Sequence, residues 1–293
     1  MSVWKGIAPA KLNLFLKVVG KRPDGYHLLF TLFQTIRLAD EVEISLAPGG
    51  GIHLEQTGID VGVSPERNLA FRAAEVFFGA TGGAPGCLIR LRKIIPPGTG
   101  MGGGSSDAAA VLRGLNDLTG RRLTPGDLHR IAGPLGADVP FLVAGGTAIG
   151  RGVGDELTPL HGLSKGWIVV VIPGTPLATA AVYAGGTFAL TENGLEVTIP
   201  TSARDLLSMA RRLGNDLAEP AERLAPHLAL ALADIAALKP DVGGMTGSGS
   251  ALFAWFSRKG DAERAAVVLA EHGRIVVTEP LTKEEFDASC SVT

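Results

Sequence analysis

Between Pro96 and Ser106 the chain reads Pro-Pro-Gly-Thr-Gly-Met-Gly-Gly-Gly-Ser-Ser, and five of the seven residues from Gly98 to Gly104 are glycine. With no Cβ in the way, such a loop can take positive φ values and bring backbone N–H groups close to a ligand. The preceding run, Cys87 to Ile94, alternates as a strand, and Pro96 and Pro97 end its ladder because proline has no N–H to donate. Ala108 to Leu115 reads as a helix, with Ser105, Ser106 and Asp107 at its N-cap positions. A helix N-terminus offers unpaired N–H groups and the positive end of a dipole, so the chemistry of this stretch is anion binding, phosphate first.

Two familiar phosphate loops compete for the pattern. The P-loop requires a lysine before its Ser/Thr, and Gly104-Ser105-Ser106 has none. Gly98 to Gly103 satisfies G-x-G-x-x-G, but the dinucleotide fingerprint also wants a second strand ending in an acid, where this chain has a turn, Gly120 to Pro125, leading into a helix. A flexible glycine linker is the remaining alternative, and linkers do not usually join a strand to a capped helix.

Three other places carry reactive groups. In Ala10 to Val18, Leu12, Leu14, Leu16 and Val18 fall on one face at period two, leaving Lys11, Asn13, Phe15 and Lys17 on the other. Taken alone, this fits an edge strand with a solvated, lysine-bearing face. The turn Pro23-Asp24-Gly25 presents Tyr26 and His27, which the residues alone allow to be a surface pair. Asp138 stands among Ala137, Val139, Pro140 and Phe141, so it is either a partly buried carboxylate in need of a partner or the cap of a short turn.

The elements that must position these groups are mixed. Leu32–Ile36, Val42–Leu46 and Ile52–Glu55 read as strands, the first two parted by Asp40-Glu41; a helix follows Asn68 and another opens at Thr124-Pro125-Gly126-Asp127. Trp167 to Pro173 is a buried strand, and amphipathic helices follow over Ala203–Arg212 and Leu224–Leu238. A second glycine loop, Gly243 to Ser250, precedes a strand at Ala251–Phe256 and a last helix and strand. Strands first and helices interspersed later argue for an α+β fold. At 293 residues and 46% hydrophobic content, the chain is long enough for two domains sharing a cleft, 1–160 and 161–293. A net charge of −2 gives no support to nucleic-acid or membrane-surface binding. Cys87 and Cys290 form neither a metal-ligand spacing nor a disulfide framework, and no apolar run reads as a signal peptide or membrane span. A cytoplasmic protein, monomer or homodimer, is expected.

Taken in order, these motifs resemble the GHMP kinase superfamily of small-molecule kinases. Pro96 to Ala108 is similar to its phosphate-binding loop, Ala8 to Leu14 to its opening motif, Gly136 to Phe141 to the segment bearing its aspartate, and Met245 to Ala251 to its third motif. Arg22-Pro23-Asp24-Gly25-Tyr26-His27 is similar to a feature of the branch whose acceptor carries a cytidine diphosphate group. The resemblance implies an N-terminal ATP-binding domain and a ferredoxin-like C-terminal domain with the site in the cleft between them. It implies ATP and Mg²⁺ as cofactors, in the non-mevalonate isoprenoid pathway. The loop residues Pro96, Pro97, Gly98, Thr99, Gly100, Met101, Gly102, Gly103, Gly104, Ser105 and Ser106 would cradle the ATP phosphates, with Ser106 a neighbour of the metal. Asp138 would accept the proton of the acceptor hydroxyl, partnered by Lys11. Asn13, Tyr26, His27, Thr179 and Tyr183 would contact the acceptor, Tyr26 and His27 reading the cytosine ring; Thr179 by its residues alone is equally an N-cap.

Overall fold

Two long strands carry the molecule, and neither ends where an acidic pair in the sequence reads as a break. In this computed structural model, which describes residues 2–47, 49–83, 86–161, 163–188 and 197–293, β1 (Val3–Lys21) and β2 (His27–Leu46) pair antiparallel along most of their length. Asp40 and Glu41 lie inside β2, not between two strands. Asp40 is tolerated there because its carboxylate, fully buried, accepts the backbone N–H groups of Ile94 at 2.5 Å and Ile95 at 2.8 Å.

The chain continues through β3 (Gly51–Gly58), α1 (Leu69–Thr81), β4 (Gly86–Lys93), α2 (Gly103–Leu118), α3 (Pro125–Ala132), α4 (Val139–Ala144), β5 (Thr147–Arg151) and β6 (Glu156–Leu160). The second part comprises β7 (Trp167–Ile172), α5 (Thr179–Ala184), α6 (Ala203–Leu213), α7 (Ala218–Leu224), α8 (His227–Ala237), β8 (Val242–Met245), β9 (Leu252–Phe256), α9 (Lys259–Val268) and β10 (Arg274–Thr278). It closes with α10 (Lys283–Asp287) and β11 (Cys290–Val292). The expected caps are present: Asn68 accepts from Ala70 N–H at the start of α1, and Thr124 and Asp127 form a reciprocal capping box on α3.

The first sheet has the order β11-β1-β2-β4-β3, with β5 on the other half of β2 and β6 beside β5. Among the described strands of this sheet only β3 and β4 pair parallel, joined by α1. The second sheet, β10-β7-β9-β8, is antiparallel throughout, and its strand–helix–strand–strand–helix–strand sequence is ferredoxin-like. Strand β6 ends at Leu160, where the sequence places a boundary, but the last strand returns across it, pairing Trp4 with Val292 and Gly6 with Cys290.

The solvated lysine face read for β1 does not exist. Ala8 to Leu16 is buried without interruption, Ala8 in a core shared with α1 and α2, and Ala10, Leu12, Leu14 and Phe15 in one shared with Ile168, Val170, Phe253 and Trp255 of the second sheet. The strand is interior on both faces because the second domain covers what an edge strand would leave to water. Register shifts at Pro9/Lys11, Asn13/Phe15 and Val18/Gly20 further re-aim its side chains. Among the described residues no helix is long and apolar enough to cross a membrane.

Candidate active site

The glycine loop joins β4 to α2, and the helix begins earlier than its polar residues imply. Its N-cap is Gly102, at φ 73°, a conformation that favours glycine. Ser105, Ser106 and Asp107 therefore lie inside the first turns and do not cap them. Their side chains are engaged elsewhere: Ser106 Oγ donates to the Pro9 carbonyl at 2.7 Å, and Asp107 accepts from Lys93 at 2.7 Å. The first intrahelical bond runs from Ser106 N–H to Gly102 C=O, so the N–H groups of Gly103, Gly104 and Ser105 precede it. Gly104 is exposed and Ser105 half-buried. Within the loop, Met101 and Thr99 turn inward, while Pro97 and Gly98 are exposed and Pro96 and Gly100 half-buried. What the loop offers a ligand is backbone, at the positive end of a 16-residue helix.

The second glycine loop, between β8 and β9, closes on the first. A Cβ at Gly100 would lie 2.3 Å from the Thr246 carbonyl oxygen, so the two backbones touch only because position 100 is glycine. Ala251 N–H donates to Thr99 C=O at 3.1 Å and Leu177 N–H to Gly98 C=O at 3.1 Å. Asn215 ties the same loop from behind, donating to the carbonyls of Met245 at 2.7 Å and Gly247 at 2.9 Å.

Lys11 stands between the loops. A Cβ at Gly102 would lie 3.2 Å from its Cγ, and one at Gly247 3.2 Å from its Nζ. Its ammonium donates to Asn13 Oδ1 and lies 3.5 Å from Asp138 Oδ2. The Asn13 Nδ2 donates to Thr31 Oγ1 at 2.8 Å and its backbone N–H to Thr246 Oγ1 at 2.9 Å. This amide is buried and orients Lys11; it does not stand open to an acceptor. Asp138 occupies the N-cap position of α4, yet its side chain makes no capping hydrogen bond. Its carboxylate is 31% exposed and faces the lysine.

The acceptor residues expected from the sequence separate into two groups. His27 pairs with Lys21 at the far end of the hairpin, whereas Lys11 pairs with Thr35, so the Tyr-His turn does not lie beside Lys11 along the strands. The His27 ring stacks on Tyr183, centroids 4.9 Å apart, with Phe188 edge-on at 5.4 Å. Tyr26 is 63% exposed and joins none of the ring stacks among the described residues. Burial, and then the charge of Lys21, hold the His27 imidazole below its ordinary pKa, so its neutral form is favoured. Burial, and then the charge of Asp138, raise the Tyr183 phenol above its ordinary pKa. Thr179, the first residue of α5, is not a cap: its hydroxyl is 2.9 Å from Ser248 Oγ on the second glycine loop. Thr179 and Tyr183, four apart on α5, thus link that loop to the aromatic group. Sequence reasoning missed Phe188, Thr31, Thr246 and Ser248. The last two sit in a glycine loop that was legible, whereas Phe188 and Thr31 carry no local signal.

Residues 68–146 match the family model of the GHMP kinases N terminal domain and residues 199–275 that of the GHMP kinases C terminal. The 4-diphosphocytidyl-2-C-methyl-D-erythritol kinase of Moorella thermoacetica is 42% identical over 94% of this chain and 98% of its own length, and that of Geobacter sulfurreducens 39% identical over 89% and 93%. A crystal structure of 4-(cytidine 5'-diphospho)-2C-methyl-D-erythritol kinase superposes with a TM-score of 0.76 at 37% identity, covering 94% of this chain and 98% of that one. Homoserine kinase from Cytophaga hutchinsonii reaches a TM-score of 0.77 at 16% identity over 100% and 97%, a likeness of fold alone. The chain belongs to the GHMP kinases, small-molecule phosphotransferases, and within them to the family of the 4-diphosphocytidyl-2-C-methyl-D-erythritol kinases.

Proposed function

We propose that this protein transfers the γ-phosphoryl group of ATP to the 2-hydroxyl of 4-diphosphocytidyl-2-C-methyl-D-erythritol, a step of the non-mevalonate route to isoprenoid precursors. The observation that carries the chemistry is the Lys11–Asp138 pair, 3.5 Å apart, set between two glycine loops whose backbones meet. Phosphoryl transfer passes through a loose transition state and needs positioning and charge stabilisation more than covalent help. The N–H groups of Gly103, Gly104 and Ser105 hold the phosphates at the start of α2. Asp138 accepts the hydroxyl proton, and Lys11, fixed by Asn13, orients that carboxylate and offers its charge to the transferring group.

A magnesium ion would supply charge neutralisation to the phosphates here. Ser105, at the open end of α2, is the accessible hydroxyl for it; Ser106 is buried with its proton given to Pro9. At the far side of the cleft His27, neutral and stacked on Tyr183, receives the cytosine with Phe188.

Release of ADP in the presence of the cytidylylated acceptor, and not of homoserine or mevalonate, tests the activity; ADP formed equally with every acceptor overturns the assignment. Gly104→Asp tests the cradle. The position is exposed at an ordinary φ, a Cβ there meets only Leu69 at 3.5 Å, and an acid in the first turn favours the helix. The variant therefore folds as well as the parent while its carboxylate repels phosphate, and ATP affinity falls at least about tenfold, the size of a charge-assisted hydrogen bond lost. Unchanged affinity removes the α2 N-terminus from nucleotide binding.

A further inference from the structure

The last residues of the chain lie outside both matched family segments, yet they cross back from the second sheet to the first. Their landing point is the far end of α4, the six-residue helix that Asp138 precedes. Gly145 and Gly146, which end that helix at φ 69° and 78°, sit on α10: a Cβ at Gly145 would lie 2.4 Å from the Phe286 ring, and one at Gly146 3.1 Å from Lys283 Cβ. Phe286 is fully buried. Arg113 of α2, the helix of the glycine loop, also holds it, its guanidinium 3.8 Å from the ring centroid and donating to the Phe286 carbonyl at 3.2 Å.

One residue joins this contact to the lysine. Thr35, fully buried, is the β2 partner of Lys11 in the strand register. Its N–H donates to Gly146 C=O at 2.9 Å and its hydroxyl accepts from Gly146 N–H at 3.0 Å. The same hydroxyl donates to Leu281 C=O at 3.0 Å, and Leu281 N–H returns to Thr35 C=O at 2.9 Å. The backbone that carries Lys11, the end of the helix that carries Asp138 and the C-terminal segment therefore meet at Thr35. α4 is packed along its length by Val139, Phe141 and Leu142, and its C-terminal end is fixed in addition by Thr35 and α10.

We propose that residues 279–293 are a positioning strap for phosphoryl transfer, in which Phe286 and Thr35 set the Asp138 carboxylate against Lys11. This rests on the reading of Asp138 as the proton acceptor. A displacement of about 1 Å at a reacting group can cost on the order of a hundredfold in rate. Phe286→Ala in the full-length enzyme is expected to lower kcat for ADP release about 10- to 100-fold with the KM for ATP unchanged, and Phe286→Leu to restore most of it. Thr35→Val, which keeps the volume and removes the bridging hydroxyl, is expected to move kcat in the same direction and carries the test if Phe286→Ala does not fold. Combined with Asp138→Asn, either change should cost nothing further in kcat, because the group it positions is already gone. A lower melting temperature with full kcat makes the segment a stabilising strap only, and a multiplicative double variant shows that it acts through another group; both overturn the proposal. Full activity in Asp138→Asn alone overturns the underlying reading instead, and is told apart because it appears without any change to the strap.

Discussion

Two lysine–carboxylate clusters flank the same turn of the glycine loop, and they differ in what they leave unfilled. Beneath Gly103, Lys93 bridges Asp40 and Asp107, with side-chain exposures of 2%, 0% and 2%. Asp40 is saturated by Lys93 and by two backbone N–H groups that fix the entry to the loop. Beside Gly102, Lys11 is as buried at 4%, but its partner Asp138 lies 3.5 Å away, 31% exposed and without a cap bond. A sealed ion pair has no room to exchange partners; a long one with an open carboxylate can take a hydroxyl. The first cluster shapes the loop, and the second is the one we propose reacts.

The largest effect that distinguishes them is in rate. Asp138→Asn keeps the volume and removes the proton acceptor, so kcat should fall about 10²–10⁴-fold. ATP affinity and melting temperature should stay near the parent values, since the lost carboxylate was partly solvated and capped nothing. Full turnover in that variant would make Asp138 structural and dissolve the contrast. Next in size is Lys93→Met, which strands the buried Asp40 carboxylate and should cost about 3–5 kcal/mol in urea unfolding. Lys11→Met should cost much less stability, because the carboxylate it abandons can turn to water. Equal losses from the two substitutions would show that openness is not what separates the clusters.

The cluster we propose reacts carries a local signal in the sequence and the sealed one does not, for a physical reason. Lys11 and Asp138 each sit in a local pattern, a period-two strand and an apolar run, that makes a charged side chain conspicuous. Lys93 looks like the last of three basic residues on a strand, and Asp40 like a break between strands; only burial beneath α2 and the entry to the loop reveals them as partners. The same cause explains why periodicity alone reads an open face on β1: Lys11 is enclosed by residues distant in sequence, with Gly102 against its Cγ and Gly247 against its Nζ. Loops and caps are local and were read correctly at Asn68 and Thr124, but the α2 cap was misplaced because Ser106 and Asp107 have distant partners that outbid their own helix. Tyr26 shows the converse: a residue picked out by its motif stands in solvent, and Phe188, which no motif marks, joins the stack.

The smallest expected effect probes the charge of the sealed cluster. Two acids share one lysine there, and Asp107 Oδ1, buried, has no hydrogen-bond partner among the described residues. Burial raises the Asp107 carboxyl well above the usual carboxylate range, with Lys93 opposing and Asp40 reinforcing, so its neutral form is favoured in the fold. A folded-state value above the unfolded one, about 3.9 for aspartate, means that the group's contribution is fully present below that unfolded value and is lost as pH rises through the folded one. Asp107→Asn imitates the protonated acid at every pH, its amide oxygen accepting from Lys93. The variant should therefore match the parent in acid and gain on it progressively as pH rises from about 4. Melting temperatures of both proteins measured across that range decide the matter, with ATP affinity expected to be the same in each. If the variant is instead less stable by a constant margin at all pH values, Asp107 is ionised and paired, and the sealed cluster carries a net negative charge beneath the loop.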